Sequence, residues 1–214
     1  MDTQYKNSTF ILDNSFWRTQ ENLLVVQGVN IYDYYQHQGI SFMASKQIVQ
    51  ENNSYNPNPD LFSGAVVFSN SYRENSTSTT GFVFSPRNNK ISTTAIDPNG
   101  YPIAVVDVVT TTISESDTYI ISKIGTNDYS VLLLARAQSN SGSNYYVATN
   151  DGDMVKFLNA ENHPIVRPTD LLQSLQRSGF MTYQKTWRVI DAWQNTDPQW
   201  LPKNSTYSTI IKSE

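Results

Sequence analysis

Residues 119–137 read Tyr-Ile-Ile-Ser-Lys-Ile-Gly-Thr-Asn-Asp-Tyr-Ser-Val-Leu-Leu-Leu-Ala-Arg-Ala, and the division of this stretch decides the fold. Two apolar runs, Tyr119 to Ile124 and Tyr129 to Ala137, flank the polar triplet Thr126-Asn127-Asp128. Short apolar runs bounded by turn residues suit buried strands, so the stretch predicts two strands joined by a turn. The rhythm continues upstream. Ile103 to Ile113 is long and β-branched, and Lys90 to Ile96 runs into Asp97-Pro98-Asn99-Gly100, where Pro presets φ and Asn-Gly accepts φ above zero. Gly81 to Phe84, Leu61 to Ser69, Ile40 to Val49 and Leu23 to Val26 read as further strands, with a loop over Glu51 to Asp60. Downstream, Asn144 to Thr149 alternates and stops at Asn150-Asp151-Gly152, the signal of a hairpin turn.

Past residue 160 the character changes. Pro168-Thr169-Asp170 opens a segment with Leu171, Leu172 and Leu175 on one face and Gly179 at its end. It predicts a helix over 169–179 with Thr169 as N-cap and Gly179 at C′. Thr186 to Trp193 reads as one more strand, and 197–214, with Pro198 and Pro202, as a C-terminal arm. The organisation expected is one β-domain over 1–196 with its packed helix, followed by the arm.

Composition supports a mostly β protein. Asn, Ser and Thr number 65 of the 214 residues, while charged residues are 16%. Asn and Ser compete with helical backbone bonds and favour turns. Aromatic residues at 12% exclude a disordered chain. The absence of cysteine excludes disulfides, thiol catalysis and Cys-ligated metal, and two histidines leave little for a His-rich centre. A net charge of −4 argues against nucleic acid as a partner. No run of 18 apolar residues suggests a membrane span, and the N-terminus lacks the pattern of a secretory leader. These features favour a cytoplasmic or virion-associated protein over a secreted one.

The order of the pieces resembles the lipocalin family, with Ser15-Phe16-Trp17 near the Gly-x-Trp position, Thr126-Asn127-Asp128-Tyr129 near the Thr-Asp-Tyr position, and 171–180 similar to the helix that packs on such a barrel. The resemblance implies an antiparallel up-and-down β-barrel of about eight strands with one C-terminal helix. A β-sandwich or jelly roll is the alternative. The family also implies a cation over Trp17, for which Arg136 is the nearest spare strand-end residue.

Sites of chemistry are sparse. Asn150-Asp151-Gly152-Asp153 lacks the later ligands of a calcium loop and reads as a turn. His37 and His163 have no nucleophile elbow beside them. The pairs Glu115/Asp117 and Asp151/Asp153 read as solvated turn charge. No catalytic residue, metal or cofactor is therefore expected, and the protein is not expected to be an enzyme. The function expected is a binding protein holding a small hydrophobic ligand in a barrel lumen. Phe82, Phe84, Val106, Tyr119 and Ile121 would form its walls, with Arg136 and Tyr146 as polar handles. The alternative is a structural or assembly protein, a virion or coat component. There the aromatic C-terminal arm, Trp200 above all, would contact a protein partner.

Overall fold

The computed structural model describes residues 4–19, 31–54, 93–96, 102–108 and 113–196. In chain order the elements are β1 (Thr9–Leu12), α1 (Asn14–Thr19), α2 (Ile31–Gln38), β2 (Ser41–Ser45), α3 (Lys46–Ser54), β3 (Thr93–Ile96), β4 (Pro102–Val106), α4 (Glu115–Asn140), β5 (Tyr145–Ala148), α5 (Gly152–Ala160), β6 (Ile165–Val166), α6 (Pro168–Arg177) and α7 (Tyr183–Thr196). The sheet order is β3-β4-β2-β1-β5-β6. β4, β2, β1, β5 and β6 run parallel, and β3 pairs antiparallel at the edge. This corrects the expected fold class. The chain is an α/β protein around an open sheet, not an all-β antiparallel barrel and not a sandwich of two sheets.

Register divides the strands into two faces. Phe10, Phe42 and Tyr146 share one face, and Ile11, Met43 and Val147 the other. On the first, the Phe10 ring meets Phe16 of α1 and Tyr35 of α2, and Tyr35 packs edge-on to Phe42 at 4.7 Å. Tyr34 and Ser174 share a hydroxyl hydrogen bond of 2.6 Å that ties α2 to α6. On the second face, α4 lies across β1, β2 and β5 with α5 beside it. Burial on both faces is why these strands are short apolar runs, as parallel strands generally are.

The opening stretch is one helical element, and that overturns the strand reading of 119–124 and 129–137. Tyr129 to Ala135 are buried without interruption. A helix buried all round loses its polar stripe, and its sequence then cannot be told from a buried strand by periodicity. Gly125 breaks the element, with φ 85° and ψ 168°, a region essentially restricted to glycine. Two helical arms therefore meet at Gly125, and the polar triplet expected as a β-turn opens the second arm.

Three further expectations change. Asp151 does not turn a hairpin but caps α5, its Oδ1 accepting from the N–H groups of Asp153 (2.6 Å) and Met154 (2.9 Å). Residues 186–193 lie in α7, and 46–54 form α3 where a strand end and a loop were expected. The helix expected at 169–179 is present as α6, but its N-cap is Arg167 and the expected cap Thr169 lies inside the first turn. Pro168 is its first residue, the Asp170 carboxylate accepts from the Arg167 N–H, and Gly179 follows the C-cap with φ 79°. Among the described residues no helix is long and apolar enough to cross a membrane.

Candidate functional site

The chain leaves β1 toward β2 and β4 on one side, then returns through α4 to β5 and β6 on the other. β1 and β5 are thus the strands at which the winding direction reverses, and ligands of open α/β sheets bind at the carboxyl ends of such strands. Asp13, Asn14 and Ser15 follow β1, and Thr149, Asn150 and Asp151 follow β5.

These residues form a connected group. Asp13 is 2% exposed. Its Oδ2 accepts from Ser15 Oγ (2.5 Å) and Thr149 Oγ1 (2.6 Å), and its backbone N–H continues the ladder to the Ala148 carbonyl (3.0 Å). The N–H groups of Asn150 and Asp151 bind Ser15 Oγ and Thr149 Oγ1 in turn. Burial pushes the Asp13 carboxyl up, the two hydroxyl bonds oppose that, and Asp151 adds repulsion.

Glu51 of α3 and Asp128 of α4 complete the group. Both Glu51 oxygens accept side-chain amides, Oε1 from Asn14 Nδ2 (2.9 Å) and Oε2 from Asn127 Nδ2 (2.8 Å). Asp128 lies in the first turn after the Gly125 break. Burial, followed by the charges of Asp13, Glu51 and Asp151, pushes its carboxyl up to about 8. Ser130 Oγ donates to Ser45 Oγ at 2.6 Å and pins this arm of α4 over the end of β2.

One atom is left over. Asn14 is 5% exposed, and its Oδ1 has no hydrogen-bond partner. The amide orientation is fixed, because turning it over would set Oδ1 against the Glu51 carboxylate. A buried acceptor without a donor costs about 1–3 kcal/mol, and this oxygen has a lone pair open to a hydrogen-bond donor or a cation. Among the described residues, no three carboxylate or imidazole side chains already gather closely enough to enclose a metal ion. An ion held by one or two carboxylates and an amide oxygen keeps several waters, as Mg²⁺ usually does.

No protein-family model and no curated protein matches this chain.

The residues expected to line a lumen do not converge. Phe82, Phe84 and Trp200 lie outside the described residues. Val106 and Tyr146 project to opposite faces of the sheet, since Val106 pairs with Ser45 and Tyr146 with Phe10. Tyr146 donates its hydroxyl hydrogen to the Gln4 carbonyl (3.0 Å). Tyr119 and Ile121 are helical residues of α4, and Tyr119 is 59% exposed. Arg136 is engaged by Glu161 (2.8 and 2.6 Å) and Asp117 (3.0 Å), while Trp17 is buried in α1. A cleft of about 410 Å³ opens beside α7, but four of its five lining residues, Thr182, Gln184, Lys185 and Arg188, are polar or charged.

The sequence reading missed Asp13, Asn14, Glu51 and Asp128. One local signal was available: Phe10-Ile11-Leu12 is followed at once by Asp13-Asn14, an acid and an amide closing an apolar run. Glu51 and Asp128 carry no such signal, because α3 and the Gly125 break bring them in.

Proposed function

We propose that this protein is a divalent-cation-dependent phosphodiesterase whose site lies at the carboxyl ends of β1 and β5. The observation that carries the reading is the unpartnered Oδ1 of Asn14, a buried side chain that follows Asp13 and gives its amide to Glu51, with Asp128 coupled by charge to Asp13, Glu51 and Asp151. An all-oxygen donor set with no thiolate or imidazole selects hard cations. When bound, such a cation supplies charge for a phosphoryl oxygen and an acidified water.

The remaining roles belong to the chain. Asp13 and Asn14 offer ligand oxygens, with Ser15 and Thr149 fixing the Asp13 carboxylate. Glu51 aims Asn14 by taking its amide N–H. Asp128, whose carboxyl is pushed up by burial and by the charges of Asp13, Glu51 and Asp151 before a cation binds, becomes the proton acceptor once the cation offsets those charges. The carboxylates repel a bare phosphate, so substrate and cation enter together.

Titration calorimetry with Mn²⁺ and Mg²⁺, alongside hydrolysis of bis(p-nitrophenyl) phosphate, tests the proposal. Binding heat and metal-stimulated turnover are expected in the wild type, and both are expected to be lost in Asp13→Asn. A full chain that binds neither ion and hydrolyses nothing sinks it.

The hydrophobic-ligand reading has lost the container it rested on. The assembly reading keeps one specific observation, the exposure of Phe180, Tyr183 and Trp187 at the start of α7. Light scattering decides it: a mass that rises with concentration and falls in Trp187→Ser supports assembly, and a monomer at every concentration removes it.

A further inference from the structure

Continuing the pairing of Leu12 with Ala148, and of Ala148 with Val166, by one residue sets Asp13, Thr149 and Arg167 in one transverse row. The ladder bonds bear this out: the Asp13 N–H donates to the Ala148 carbonyl (3.0 Å) and the Thr149 N–H to the Val166 carbonyl (3.2 Å). Two interstrand spacings, about 10 Å, separate the Arg167 backbone from that of Asp13.

Arg167 is half-buried, and its guanidinium makes no hydrogen bond or ion pair with any described residue. Asp170 feels its charge but takes only the Arg167 backbone N–H (2.9 Å). Among the described residues no anion hydrogen-bonds this partly desolvated guanidinium, which feels Asp170 only through its charge; one strand beyond a basin of carboxylates, it is set to receive an anion from outside. Its planar fork matches phosphate oxygens.

We infer that the substrate is a phosphodiester chain, an oligonucleotide, and that Arg167 holds the phosphate next to the scissile one. This rests on the phosphodiesterase reading and deepens it. The spacing sets Arg167 beyond the group bound over Asp13, where the following phosphate of a chain would lie. The net charge of −4 is no obstacle, because a cation and one arginine act locally where the general field does not attract.

The test compares a fluorescein-labelled single-stranded 12-mer with bis(p-nitrophenyl) phosphate, which has a single phosphate, in wild type, Arg167→Ala and Arg167→Lys. The ratio of kcat/KM for the 12-mer to that for the small ester should fall at least tenfold in Arg167→Ala and recover in part in Arg167→Lys. The salt dependence of 12-mer binding should flatten by about one unit of log–log slope. An equal loss on both substrates, or no loss on the 12-mer, overturns the inference. If the wild type cleaves neither substrate, the phosphodiesterase reading falls by itself. Anisotropy of the uncleaved 12-mer in Ca²⁺ then decides Arg167: weaker binding in Arg167→Ala supports the role, and equal affinity refutes it.

Discussion

Arg136 donates from Nη1 to the Asp117 carboxylate at 3.0 Å, although both residues belong to the same helical element and stand on opposite sides of Gly125. No straight helix brings residues 19 positions apart into contact, since it would set them about 28 Å apart. The contact therefore shows α4 folded back on itself at Gly125. Glu161, at the C-cap of α5, grips the other edge of the same guanidinium at 2.6 and 2.8 Å. The three residues clamp both arms of α4 to α5, and the fold-back places Asp128 at the strand ends.

The Gly125 hinge gives the first prediction. A Cβ at this position meets nothing within 4 Å, yet φ 85° with ψ 168° is closed to side-chain-bearing residues. Gly125→Ala should cost about 1–3 kcal/mol from backbone strain alone. Urea denaturation of the variant measures the loss, and unchanged stability would refute the hinge.

The clamp itself predicts acid sensitivity. Asp117 and Glu161 are both held below the ordinary carboxylate range. Hydrogen bonds from Ser114 and Arg136 outweigh burial at Asp117, and the Arg136 bonds do so at Glu161. Groups lowered in the folded state add stability that is present above their unfolded values, near 4, and lost as pH falls through the folded ones. Arg136→Leu should lose about 1 kcal/mol at pH 7, a modest figure because the residues remain partly solvated, and should show a shallower decline below pH 4. Thermal melts at pH 7 and pH 3 for both proteins give the comparison.

Asp128 predicts the opposite slope. Its carboxyl sits at about 8 when folded, against about 4 when unfolded. The stability tied to its proton is complete below pH 4 and disappears as pH rises toward 8. The wild type should be less stable at pH 8.5 than at pH 5 by about 2 kcal/mol after allowance for solvent screening. Asp128→Asn should flatten that decline, and millimolar Mg²⁺ should restore stability to the wild type at pH 8.5. A wild type whose urea midpoint does not change between the two pH values would contradict the placement of Asp128.

Asn14 separates stability from binding. Asn14→Ala removes one amide bond to Glu51 and also removes the buried acceptor that lacks a partner. The two effects oppose each other, so the melting temperature without metal should move by only a few degrees. Mn²⁺ affinity should fall at least tenfold. An unchanged affinity by calorimetry would exclude Asn14 Oδ1 as a ligand.

Some of this was readable from residues in order. Pro168-Thr169-Asp170 through Gly179 carries its own start and stop signals, and α6 lies there within two residues. The strand over Asn144 to Thr149 contains β5. Both are local facts, settled by caps and alternation. The long element α4 was not readable, because Val131 to Ala135 are covered on all sides by β1, β2 and β5 and by neighbouring helices. A helix in that setting needs no polar face, so its apolar run carries no period to betray it. Asp151 resembles a turn residue for a related reason: an N-cap and a hairpin turn both ask for a short acceptor side chain in extended backbone.

By itself, the sequence determined a chain without cysteine chemistry, its apolar runs and the place of α6. Tertiary structure alone decided that those runs lie side by side in parallel, and that Asp13, Asn14, Glu51, Asp128 and Asp151 share one corner. The reason is that parallel pairing and burial on both sheet faces are set by partners distant in the chain. Those partners leave no mark on the spacing of neighbouring residues.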